Sequence, residues 1–120
     1  MSGSVLVAVD DLFFAAKIRA TAGHLGVEVV FPRSLDALVE AARDDAPPLV
    51  IVDLHLQRYD PFAVALRLKS VEALRETPLV GFFSHVRIEL QRRAKDAGFD
   101  HIMPRSAFTK RLPEILQGQI

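Results

Sequence analysis

Three aspartates follow two strongly apolar segments of this 120-residue chain, at the points where those segments end. Asp10 and Asp11 come after residues 5–9, and Asp53 comes after residues 49–52. If the two segments are neighbouring parallel strands, their carboxyl ends meet at one edge of the sheet, where open α/β sheets bind ligands. Carboxylates this close together favour a hard divalent cation, because without one some of their pKa values must rise. The spacing therefore predicts a cation site.

The elements that would position these acids alternate between strands and helices. β-branched apolar runs are typical of buried parallel strands, and apolar residues at intervals of three and four are typical of helices. We predict strands β1–β5 at residues 5–9, 27–31, 49–54, 79–83 and 100–103, and helices α1–α5 at residues 12–25, 35–43, 61–76, 87–97 and 106–116. The alternation predicts an α/β fold, a flavodoxin-like doubly wound (βα)5 three-layer sandwich with parallel sheet order 2-1-3-4-5. In that order β1 lies beside β3.

Several residues predict where helices begin and end. Ser34 and Ser106 are expected N-caps of α2 and α5, and Gly98 is an expected C-terminal stop of α4. Pro113 lies inside the predicted α5, so a kink or a late start is expected there.

Composition limits the classes of function. The chain has 15 basic and 15 acidic side chains, so no net charge attracts nucleic acid or an anionic membrane. It has no cysteine, which excludes disulfides and thiolate metal sites. The longest apolar stretch is too short to span a bilayer. We expect one domain over residues 1–120, in the cytoplasm, as a monomer or weak homodimer.

Three sequence segments resemble the receiver domain of two-component response regulators, and the resemblance covers essentially the whole chain. They are Val-Ala-Val-Asp10-Asp11, Leu-Val-Ile-Val-Asp53-Leu and Ala-Gly-Phe-Asp100. The resemblance implies that Asp53 accepts a phosphoryl group from a histidine kinase. It also implies that Asp10, Asp11 and Asp53 hold Mg²⁺ together with the backbone carbonyl of His55. A chain of this kind is expected to be a stand-alone signalling module without an output domain, not an enzyme, that binds a protein through its α4-β5-α5 face.

The part of the site that would contact the phosphate departs from the family pattern. Without gaps, the position of the family's β4 hydroxyl falls on Phe83, and a one-residue gap would bring Ser84 there instead. The position of the family's lysine falls on Arg105, whose planar guanidinium bonds differently from an ammonium. Ser106 stands where a proline would be. Arg105 is expected either to contact phosphate or to pair with Asp53 and neutralise the acids.

Two other functions fit the same residues. A degenerate receiver would bind a protein without phosphorylation, and Phe83, Arg105 and Ser106 favour it. A small metal-dependent phosphatase would use the acid cluster directly, but a glycine-rich phosphate loop is missing from the sequence. His55 and His85 are expected to be surface histidines, because neither has a second ligand at metal-binding spacing.

Overall fold

Strands and helices alternate along the chain, as the apolar pattern predicts. The computed structural model describes residues 3–84 and 87–120. The strands are β1 Val5–Ala8, β2 Val29–Val30, β3 Val50–Asp53, β4 Leu79–Phe83 and β5 His101–Pro104, and the helices are α1 Leu12–Leu25, α2 Leu35–Asp44, α3 Pro61–Lys69, α4 Ile88–Ala97 and α5 Arg105–Leu116. All neighbouring strands are parallel, in the order β2-β1-β3-β4-β5. The predicted fold class is confirmed.

The helices cover both faces of the sheet, because strand residues alternate between two hydrophobic clusters. One cluster joins α1 and α5 to one face, and the other joins α2, α3 and α4 to the opposite face. The first is centred on Phe14, Phe82 and Phe108, with ring centroids 4.6 to 5.8 Å apart. This aromatic cluster lies directly beneath the carboxyl edge of β1 and β4, where the acids are expected.

The third helix is shorter than predicted. It ends at Lys69, and a 3₁₀ turn, Glu72–Leu74, follows before β4. The Ser70 hydroxyl donates to the carbonyl of Arg67 at 2.7 Å, which is a local bond that competes with helix continuation. The Lys69 ammonium donates to the carbonyl of Arg75 at 2.9 Å and fixes the returning chain.

The last helix begins earlier than predicted and continues through its proline. Pro104 has φ of −63° and ψ of 151°, so the chain turns directly from β5 into a helix at Arg105. Ser106 therefore lies inside α5, and the expectation that it caps this helix is wrong. Pro113 lies within the length of α5, and its side chain is exposed to solvent. No helix within the described ranges is long and apolar enough to cross a membrane.

Candidate functional site

The strand register brings the ends of β1 and β3 to the same level of the sheet. Ala8 pairs with Val52, so the residues that follow, Asp10 and Asp11 on one strand and Asp53 on the other, emerge at one edge. Asp53 in turn pairs with Phe82 of β4. The side-by-side arrangement that the sequence predicts for these loops follows directly from the observed strand order.

The Asp10 carboxylate binds the loop that follows β3. Its Oδ2 accepts hydrogen bonds from the backbone N–H groups of Gln57, at 2.7 Å, and Arg58, at 3.2 Å. Its Oδ1 lies 3.9 Å from Nε of Arg58. Hydrogen bonds from backbone N–H groups to a carboxylate are charge-assisted, so Asp10 ties the two loops of the site together.

The Asp11 carboxylate both caps α1 and pairs with Arg105. Its Oδ1 accepts N–H bonds from Phe13, at 2.9 Å, and Phe14, at 3.1 Å, which satisfies two amides at the helix start. Its Oδ2 accepts from Nη2 of Arg105 at 3.1 Å. The N–H of Phe14, followed by the hydrogen bond from Arg105, lowers the pKa of Asp11. Asp11 therefore stays ionised, with both oxygens engaged.

Asp53 is the most buried of the three acids, with 9% of its surface exposed. Its Oδ1 accepts the backbone N–H of His55 at 2.9 Å. Burial raises the pKa of Asp53, the N–H and then the charge of His55 lower it, the charge of Arg105 lowers it further, and the charge of Asp10 raises it. Burial is the largest of these effects, so the ionised form of Asp53 is held in an unfavourable environment.

Arg105 is the cation beside Asp11 at this edge of the sheet, and a ring holds it in place. It is the first residue of α5, and its Cζ lies 4.0 Å from the centroid of the Phe14 ring. This is cation–π geometry, and it aims the guanidinium across the sheet edge toward α1. In the part of the chain that the structure describes, its carboxylate partner is Asp11, which corrects the expected pairing with Asp53.

The two candidates for the hydroxyl position differ in their surroundings. Phe83 is the last residue of β4, is 4% exposed, and packs in the cluster with α2, α3 and α4. Ser84 follows the strand and is exposed to solvent. A role of Ser84 at the site stays a prediction. His85 lies outside the described residues.

The donor set does not fit a preassembled metal site. Among residues 3–84 and 87–120, no three His, Asp or Glu side chains form a group that could hold a metal ion. The oxygens of Asp11 already accept three hydrogen bonds, and Oδ2 of Asp10 accepts two. Magnesium at Asp10, Asp11, Asp53 and the carbonyl of His55 stays a prediction, and it requires these partners to change.

Sequence reasoning finds the acids and Arg105 but misses several of their partners. The amides of Gln57 and Arg58 carry no side-chain signal, since any residue except proline offers a backbone N–H. Phe14 follows the capping Asp11 by three residues and supports the Arg105 guanidinium, a role that no motif in the sequence indicates.

A comparison with solved structures gives the fold family. NtrX from Brucella abortus, solved with ADP, is 25% identical with a TM-score of 0.79, and the match covers 99% of this chain. This chain spans only 27% of that protein. CheY4 of Vibrio cholerae, a chemotaxis protein, is 16% identical with a TM-score of 0.84, and the match covers both chains completely.

A third similar structure is the Mn²⁺-bound form of the response regulator Rcp1. It is 17% identical with a TM-score of 0.75, and the match covers 97% of this chain and 90% of that one. Neither a protein-family model nor a curated protein sequence matches this chain. The structural matches confirm the predicted resemblance: the chain has the fold of response regulator receiver domains.

Proposed function

We propose that this chain, which has the receiver fold, is a signalling module that acts through a protein partner and accepts a phosphoryl group on Asp53. The observation that carries the proposal is the buried Asp53 carboxylate at the end of β3, at the same sheet edge as Asp10, Asp11 and the guanidinium of Arg105. A carboxylate in an apolar setting is costly unless it is paired or ligated, and groups perturbed in this way concentrate at functional sites. The receiver fold of the similar structures supports a role in signalling.

The reaction proposed for Asp53 is in-line phosphoryl transfer. A carboxylate oxygen attacks phosphorus, the bond from phosphorus to the donor's leaving group breaks, and an acyl phosphate forms. The donor is a phosphohistidine of a histidine kinase or a small acyl phosphate. Positive charge near the transferring group is needed to offset its oxygens, and Arg105, whose charge already lowers the pKa of Asp53, supplies it from this chain's own residues.

A divalent cation is the second part of this proposal, and it competes with Arg105. The Asp11 carboxylate already caps α1 and pairs with Arg105. We therefore expect Mg²⁺ to bind weakly to the wild-type chain and more tightly once Arg105 is replaced by glutamine. The binding of Mg²⁺ is measured by titration calorimetry on both proteins. If Mg²⁺ binds more tightly to the wild type than to Arg105→Gln, it does not compete with Arg105.

Phosphorylation is tested by intact mass after incubation with phosphoramidate or acetyl phosphate, with and without Mg²⁺. We expect the mass of one phosphoryl group on the wild type and none on Asp53→Asn. The control is Glu40→Gln, which removes an exposed acid of α2 and keeps Asp53. If the wild type gains no adduct at any donor concentration, Asp53 is not an acceptor. We also propose that the chain is not an enzyme, so it should not turn over an aryl phosphate.

The partner surface we propose is the α4-β5-α5 face. Ile88, at the start of α4, is 74% exposed, and a shallow cleft runs from it along Gln91 and Lys95 of α4 to Ile102 of β5. An exposed isoleucine flanked by basic side chains suits a partner with apolar and acidic groups. In ¹⁵N spectra, phosphoramidate should shift amides of this face in the wild type and leave them unchanged in Asp53→Asn.

A second function is favoured by the pair between Arg105 and Asp11. We infer from this pair, and from Phe83 in place of a hydroxyl, that a phosphorylation-independent binding module is the alternative. In that case the wild type and Asp53→Asn give the same spectra at the α4-β5-α5 face with and without phosphoramidate. The same titration thus separates the two functions.

A further inference from the structure

A cavity of about 260 Å³ lies beside the acid cluster, on the side of the edge strand β2. Its walls come from the first half of α1, the loop after β2 and the loop after β3. All three segments adjoin the carboxyl edge of the sheet, where α/β folds bind ligands. The cavity shares only Asp10 with the proposed phosphorylation site, and nothing in that function uses its other residues.

Positive charge dominates the lining of this cavity. Three arginines contribute to it, Arg19 from α1, Arg33 from the loop after β2 and Arg58 from the loop after β3, and among the described lining residues Asp10 is the single acid. Two backbone amides already bind the Asp10 carboxylate. The whole chain has no net charge, so this excess of cations is local and favours an anion.

Phe31 and Tyr59 contribute flat rings to a wall that also contains aliphatic side chains, and contacts hold both rings in place. The Arg19 guanidinium lies 4.5 Å from the Phe31 ring centroid, which positions both side chains. The Tyr59 hydroxyl donates to the carbonyl of Pro32 at 3.0 Å and ties the two loops together. Burial, and then the charge of Asp10, raises the pKa of Tyr59 to about 12, so the phenol stays neutral and adds no negative charge.

We propose that this cavity binds a small organic anion, with an oxyanion group at the arginines and a planar apolar body against Phe31 and Tyr59. Guanidinium groups suit both phosphate and carboxylate oxygens, because their N–H donors match the geometry of these groups. The volume lies just below the range of roughly 300–1,000 Å³ that is usual for small-molecule sites, so the ligand is compact. The proposal does not depend on phosphorylation of Asp53.

Phenyl phosphate is the probe that carries both features. We expect its titration into the ¹⁵N-labelled chain to shift, saturably, the amides of residues 9–12, of Phe31 and Arg33, and of residues 56–59. Phenol lacks the anion and inorganic phosphate lacks the ring, so each should bind at least about tenfold more weakly than phenyl phosphate. Benzoate is the carboxylate counterpart, and whichever of the two aromatic anions binds more tightly identifies the oxyanion. If neither binds saturably, the proposal is overturned.

Variants separate a specific site from general attraction to positive charge. Arg33→Gln removes an exposed guanidinium of the lining, and Arg43→Gln removes an exposed guanidinium of α2 outside it. We expect Arg33→Gln to weaken phenyl phosphate binding about tenfold, the loss of one charge-assisted hydrogen bond, and Arg43→Gln to leave it unchanged. Equal weakening in the two variants, or shifts spread over the whole spectrum, would refute the site.

Discussion

Replacing Asp53 with asparagine should stabilise the fold. The side chain is 9% exposed, and burial raises its pKa more than the N–H of His55 and the charge of Arg105 lower it. At neutral pH the folded protein therefore holds the ionised form of Asp53 at a cost, because burial penalises its charge. Asparagine has nearly the same shape, and its amide oxygen can still accept the His55 N–H that Oδ1 accepts now. The substitution thus removes the charge and keeps the hydrogen bond.

The direction and the pH dependence of this gain in stability follow from the linkage between proton binding and folding. A folded-state pKa above the unfolded value of 3.8 means that the folded chain binds the proton more tightly. Stability is therefore lost as pH rises from that value through the folded pKa, and the full penalty is present above it. We expect Asp53→Asn to be more stable than the wild type at pH 7 by about 0.5–2 kcal/mol, the range that is common for stabilising substitutions.

Urea unfolding followed by circular dichroism measures this difference. The advantage of Asp53→Asn over the wild type should be largest at pH 7 and should shrink as the pH is lowered toward the ordinary aspartate pKa. Glu40→Gln is the matched control, because it removes one negative charge from an exposed position of α2. It should change the free energy of unfolding by less than about 0.5 kcal/mol. If Asp53→Asn is no more stable than the wild type at pH 7, the reasoning about its burial is wrong.

Three further outcomes test other parts of the structure. Arg105→Gln should raise the pKa of Asp11 toward its ordinary value, since it removes one of the hydrogen bonds that lower it, and side-chain NMR titration measures this change. Gly81→Ala should lower the free energy of unfolding by about 1–3 kcal/mol, because the new methyl group would lie 3.1 Å from Leu54. Urea unfolding measures this loss, and a variant as stable as the wild type would contradict it. Tyr59 is the single tyrosine of the chain, so absorbance should show one phenol titrating near pH 12, and ionisation near 10 would contradict its burial.

The sheet was predictable because its strands are buried on both faces. Runs such as residues 49–52 are apolar without alternation, which leaves few alternatives to a central parallel strand. The bounds of α1 were also predictable, since Asp11 and Gly26 mark its two ends and the structure uses both as caps. Local chemistry decided these features, so the sequence was sufficient for them.

The pairing at the site was less predictable because it depends on packing across the fold. Arg105 lies 94 positions after Asp11, and its direction depends on the Phe14 ring beneath it. At the end of α3, similarly, the Lys69 ammonium donates hydrogen bonds to the backbone carbonyls of Arg75 and Thr77. Neither contact follows from the spacing of apolar residues, so a periodic pattern could not select them over the expected alternatives.

The two roles of Asp11 connect the acid cluster to the surface of the protein. A cation or phosphoryl group that draws Asp11 away from Arg105 acts on the same carboxylate whose other oxygen accepts the N–H bonds of Phe13 and Phe14. Phe13 is 90% exposed and Leu12 is 81% exposed, so the first turn of α1 presents apolar side chains next to the site. Occupancy of the acid cluster would therefore act directly on the turn that holds these two side chains, without passing through the sheet.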